Sequence, residues 1–113
     1  MKIKFISSPN FTAKKRRKIK YIIIHYTGME TLQASIKRLR SKKHQVSSHY
    51  LIDNSGKIIQ LVSDQNIAWH AGVSYWDKEM NLNNNSIGIE LQNKGHEFSY
   101  ENFRKSQISS LIS

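Results

Sequence analysis

The chain has 113 residues, 38% hydrophobic and 10% aromatic, with one proline and five glycines, a composition that supports one folded domain with a modest core and no second one. It contains no cysteine, which excludes a disulfide framework, a thiolate metal site and a cysteine nucleophile and leaves any metal to imidazole and carboxylate. The formal net charge of +10 is lopsided: residues 1–43 hold 13 Lys/Arg against the single acid Glu30, whereas residues 44–113 hold 5 against 7.

The N-terminus "MKIKFISSPNFTAKKRRKIK" lacks the apolar core and small-residue cleavage site of a signal peptide, and no stretch approaches the length of a membrane span; the expectation is a cytoplasmic chain, or an envelope one if the true N-terminus differs. Residues 1–20 read as a basic lead-in whose densest run is "KKRRKIK", Lys14 to Lys20. Such a run can contact phosphates, but it is expected to be a solvated approach to a strand, and nucleic acid is not an expected partner. The apolar run Tyr21 to Ile24 predicts a central strand covered on both faces, with His25 where the strand leaves the core.

"METLQASIKRLRSKKH" carries Leu32, Ile36 and Leu39 at helical spacing with Lys and Arg opposite, predicting an amphipathic helix whose apolar stripe lies on a sheet. "SSHYLIDNSGKIIQLV" is two apolar runs around Asp53, Asn54, Ser55 and Gly56, a β-hairpin. In "SIGIELQN", residues 86–93, Ile87, Ile89 and Leu91 alternate with Gly88 and Glu90, a further strand. "SYENFRKSQISSLIS" opens on a cap candidate, Ser99, and continues with Phe103, Ile108, Leu111 and Ile112 as a helix without a stop signal. Strand, helix, hairpin, strand and helix predict an α/β layer fold, a mixed sheet flanked by helices.

His25, His49, His70 and Glu90 fall on or beside apolar strand runs, where an unpaired polar group is costly. A histidine at a strand end can be a hydrogen-bonded structural residue or a ligand. Glu90 opposes Ile89 and Leu91 across its strand and adjoins Gly88, which keeps the approach open; it either pairs with a cation or serves as an acid or base with a raised pKa. His and Glu without Cys or an activated Ser suit metal-assisted hydrolysis better than covalent catalysis.

Four blocks in order, "IIIHYTG", "VSSHYLIDNSGKIIQLV", "AWHAGVSYW" and "LNNNSIGIELQN", closely resemble the zinc-dependent N-acetylmuramoyl-L-alanine amidases of the type-2 family, which share their fold with the peptidoglycan-recognition proteins. The resemblance covers roughly residues 8 to 113. It implies that His25 is the first zinc ligand and Glu90 the general base and acid on a zinc-bound water. Trp69 and His70 are implied to line the substrate groove, or equally to form a packed loop, and Asn83 sits at the groove or in a turn. In the recognition-protein branch a tyrosine stands at the position of Ser48, so this sequence follows the branch that relies on the glutamate.

The implied reaction cuts the amide between N-acetylmuramic acid and L-Ala of the peptidoglycan stem, in peptidoglycan or in muropeptides. Zinc would take three protein ligands and a water, lower that water's pKa to about 7 and polarise the carbonyl. The family's second histidine ligand, its aspartate ligand and a nearby lysine belong to a later segment, past the helix that begins near residue 100. Residues 21–113 are therefore expected to be the N-terminal portion of one amidase domain, with His44, His49, His70 and His96 as substitutes by composition only. Three alternatives follow: a monomeric amidase or one completed by a partner chain or second copy, a truncated remnant that at best binds peptidoglycan weakly, and a polyanion binder using Lys14 to Lys20.

Overall fold

Alternating apolar residues build the sheet, and the pairing of the strands decides which alternate set becomes core. The computed structural model describes residues 3–14, 17–70, 75–76, 79–80, 82–93 and 107. In chain order the elements are β1 (Ile3–Phe5), β2 (Phe11–Thr12), β3 (Tyr21–Tyr26), α1 (Leu32–Arg40), β4 (Tyr50–Ile52), β5 (Ile58–Gln60), β6 (Ile67–Ala68), β7 (Tyr75–Trp76), β8 (Glu79–Met80), a 3₁₀ turn (Leu82–Asn85) and β9 (Ser86–Leu91). A mixed five-stranded sheet runs in the order β1-β5-β4-β9-β3, beside two short two-stranded ribbons, β2-β6 and β7-β8. The expected α/β layer fold with a mixed sheet is the observed one.

The hairpin of β4 and β5 closes as its turn residues dictate. Asp53 Oδ1 accepts the amides of Ser55 and Lys57, each at 2.9 Å, and Gly56 takes φ of 88°, a left-handed conformation that a side chain would strain. Thr31 caps α1, its hydroxyl accepting the Ala34 amide at 3.1 Å. Lys37, Arg38 and Arg40 occupy the last turn of α1, where the helix dipole favours cations. As expected, the apolar stripe lies on the sheet: Leu39 clusters with Leu51 and Ile59, and Leu32 and Ile36 pack against that cluster.

Two expectations are corrected. Among the described residues the run at 21–26 is an edge strand, paired only with β9, and its alternate side chains Ile22, Ile24 and Tyr26 are 66%, 50% and 49% exposed. A four-residue apolar run satisfies the composition of a central strand, but the sheet order, which the run cannot encode, puts it at the margin. The basic run is not simply a solvated lead-in either. Arg17 donates through Nε and Nη2 to the Asp64 carbonyl at 3.0 and 2.7 Å and through Nη1 to the Ser86 carbonyl at 2.7 Å, clamping the loop after β5 to the start of β9. Residues 1–20 also contain β1, which pairs in parallel with β5. The helix expected over 99–113 lies outside the described residues except for Gln107, which is helical and fully buried and donates to the carbonyls of Ile52 and Gln92.

Candidate active site on the sheet face under the helix

The parallel pairing of β3 with β9 sets His25 directly opposite Glu90, and β4 places Leu51 on Glu90's other side. Residues directly opposite in a ladder share a face. His25 and Glu90 therefore emerge together on the face that α1 covers, two strands that are distant in sequence but adjacent in space.

His70 joins them from the segment after β6. Its Nδ1 lies 3.1 Å from His25 Nε2 and its Nε2 lies 3.0 Å from the Ser86 hydroxyl. The two rings stand edge to face, with centroids 5.3 Å apart. Gly88 makes this approach possible: a Cβ there would sit 2.4 Å from the His70 ring, so the glycine is an empty slot for the imidazole. Burial, reinforced by the neighbouring His25, His49 and Arg17, pushes the His70 pKa down to about 3, and burial also lowers that of His25. Both imidazoles are held neutral, so each ring carries one N–H donor and one acceptor nitrogen.

Glu90 is the complementary group. Its Oε2 is buried with no hydrogen-bond partner among the described residues, and burial alone raises its carboxyl pKa to about 7. Among the described residues no cation pairs with it.

His49 takes the structural role. It is fully buried; its Nδ1 accepts the Gly88 amide at 3.0 Å, which leaves the proton on Nε2 to donate to the Asn66 carbonyl at 2.8 Å. Arg17 Nη2, 2.8 Å from that same nitrogen, is therefore a packing contact. With both ring nitrogens engaged, His49 is no substitute ligand. His44 makes no such approach, and His96 lies outside the described residues.

A cleft opens beside this group, walled by Met29, Ser35, Arg38, Trp69, His70 and Glu90. Trp69 is anchored by its amide to the Ser47 hydroxyl at 2.9 Å and by its indole N–H to Thr12 at 3.0 Å. Asn83 does not line the cleft; its Oδ1 accepts the His70 amide at 3.1 Å, fixing where that imidazole starts. His25 is not among the residues that line the cleft and touches His70, which is. Gln92, just past β9, ties the walls together by accepting from the Ser35 hydroxyl and donating to the Met29 carbonyl at 2.9 Å. Sequence reasoning missed Arg38, Met29, Ser86 and Gln92. The signal for Ser86 and Gln92 was their position at the two ends of the strand that carries Glu90, whereas Arg38 looked like any cation on a basic helix.

For zinc, the donors present are His25 Nδ1 and the Glu90 carboxylate, since His25 Nε2 and both nitrogens of His70 are engaged with each other and with Ser86. Among the described residues no group of three or more His, Cys, Asp or Glu converges to hold a metal. The described residues do not by themselves fit a zinc site, which needs three protein donors.

Fold and site together define an α/β protein with a buried carboxyl and neutral imidazoles on the covered face of a mixed sheet. The chain belongs to the N-acetylmuramoyl-L-alanine amidase family, whose model matches residues 15–113. It is 41% identical over 107 aligned positions to the N-acetylmuramoyl-L-alanine amidase AmiD of Escherichia coli K12, covering 84% of this chain and 38% of that protein. It is 32% identical over 105 positions to the 1,6-anhydro-N-acetylmuramyl-L-alanine amidase AmpD of Haemophilus influenzae, covering 77% of this chain and 57% of that one. The solved structure of Escherichia coli AmiD in complex with the substrate anhydro-N-acetylmuramic acid-L-Ala-D-γ-Glu-L-Lys superposes with a TM-score of 0.75 at 35% identity, over 91% of this chain and 49% of that one. The chain thus spans between about two fifths and three fifths of the length of these curated relatives.

Proposed function

We propose that this protein is a peptidoglycan hydrolase that cuts the amide between N-acetylmuramic acid and L-Ala of the stem peptide. The observation that carries the reading is Glu90, a buried carboxyl with an unpartnered oxygen on the wall of a cleft, opposite His25 in the ladder. Family membership and the muropeptide bound to the AmiD relative support the substrate class. With its pKa near 7, Glu90 exchanges a proton readily at neutral pH: as carboxylate it takes one from the attacking water, and as acid it returns one to the leaving amine of L-Ala. His70, fixed by Ser86 and the Gly88 slot, keeps the His25 ring in one orientation. Zinc, which the family resemblance implies, would supply a Lewis acid for such chemistry when bound, with His25 as one donor and the others needed from beyond the described residues.

The test is mass spectrometry of anhydro-N-acetylmuramyl tripeptide incubated with the purified chain, with and without added zinc. Release of free tripeptide is expected, and Glu90→Gln is expected to slow it by about 100-fold or more. An intact substrate in the presence of zinc would overturn the hydrolase reading. The incomplete donor set among the described residues favours one second reading, a muropeptide-binding fragment; native mass spectrometry showing no retained zinc together with saturable muropeptide binding would select it.

A further inference from the structure

Three arginines fall among the described residues, and the fold consumes two of them. Arg17 is tied to the carbonyls of Asp64 and Ser86, and Arg40 donates to the Ser7 carbonyl at 2.8 Å. The Arg38 side chain, in the last turn of α1, has no hydrogen bond or ion pair among the described residues, and it is the arginine that lines the cleft, together with Glu90, His70 and Trp69. The rest of that wall carries no charge: Met29, Leu39 and Val46 are apolar and Thr27, Ser35 and Ser47 offer hydroxyls. The acid on that wall is Glu90, and no ion pair joins it to Arg38 among the described residues. Lys37, Arg40, Lys42 and Lys43 lie within five residues of Arg38 in sequence and make this end of α1 strongly cationic.

We propose that Arg38 is a specificity-determining residue that reads a free carboxylate on the bound stem peptide, namely the α-carboxylate that a γ-linked glutamate leaves unbonded. This deepens the muropeptide reading above and rests on it. A guanidinium is always charged and offers two parallel N–H donors that match both oxygens of a carboxylate. With the amide of L-Ala at Glu90, the next stem residue lies one step of about 3.5 Å further along an extended peptide, in the cleft whose wall Arg38 shares with Glu90. The shared chemistry, a stem-peptide carboxylate, has a second source in the C-terminal carboxylate, and the two are separable.

The experiment measures binding in a Glu90→Gln background, so that substrate is not consumed, with and without Arg38→Gln. The ligands are anhydro-N-acetylmuramyl-L-Ala-D-γ-Glu-L-Lys, the same peptide with its glutamate α-carboxyl as carboxamide, and the same peptide with its C-terminal carboxyl as carboxamide. The parent is expected to bind about 5- to 10-fold tighter than the glutamate amide, with the difference shrinking as salt is raised and vanishing in Arg38→Gln. Equal binding of parent and glutamate amide, or a preference that survives Arg38→Gln, overturns the inference while muropeptide binding stands. A preference lost only on C-terminal amidation overturns the glutamate assignment. No binding of any of the three overturns both the inference and the function on which it rests.

Discussion

The row Lys4, Ile59, Leu51, Glu90 and His25 crosses one face of the sheet, and the row Ile3, Ile58, Ile52, Leu91 and Tyr26 crosses the other. Both come from the same five strands, one residue out of step. The first row is roofed at its centre by Leu39 of α1 and ends in a carboxyl and an imidazole; the second is apolar throughout, buried at Ile58, Ile52 and Leu91 but open at Ile3 and Tyr26. The contrast shows how a thin domain affords a buried acid. Roofing one face excludes water from Glu90, while the opposite side chains of β9 contribute the apolar packing that the polar row gives up.

The contrast is broken most severely at its centre. Leu51 is fully buried between Ile59 and Glu90, and Leu51→Ala is expected to cost about 2–5 kcal/mol in chemical denaturation; a loss under about 1 kcal/mol would show that the roofed face is not the core.

Next comes the pH dependence of stability. The folded pKa of Glu90 is raised from 4.5 to about 7, so its contribution is full below about 4.5 and declines as pH rises to about 7, by roughly 3 kcal/mol. His70 acts in the opposite direction: with its pKa lowered from 6.5 to about 3, the unfolded chain takes up the proton first and stability falls as pH drops through that window. Glu90→Gln is expected to remove the loss on the neutral side and leave the acid side unchanged. A profile in which Glu90→Gln still weakens between pH 4.5 and 7 would assign the effect to another group.

Gly88→Ala places a methyl against the His70 ring and is expected to cost about 1–3 kcal/mol, with the His25 and His70 ring resonances shifting together in NMR spectra. Unshifted rings would mean that the imidazole is not seated in the glycine slot. The smallest effect is expected at the open margin, where Ile22→Thr keeps a β-branched residue at an exposed site and should change stability by no more than about 0.5 kcal/mol. A larger loss would show that this margin is covered in solution.

Local pattern was enough for the elements. The apolar spacing of Leu32, Ile36 and Leu39 made α1, Asp53 and Gly56 closed the hairpin, and the alternation around Glu90 marked β9, because periods of 3.6 and 2 are properties of neighbouring residues. It was also enough to single out His25 and Glu90 as polar groups that needed an explanation. Pairing was not local. That β3 lies at the edge, that His25 opposes Glu90, and that Gly88 admits His70 all depend on strands more than sixty residues apart or on a loop folding back, contacts whose register no period encodes. For the same reason two residues of similar appearance parted ways. His49 and His70 both sit beside apolar runs, but the Gly88 amide and the Asn66 carbonyl claim the first, while the second reaches His25 and the cleft. Sequence determined which side chains could do chemistry in this protein; the packing of the sheet decided which of them meet, and which are dry enough for their protons to matter.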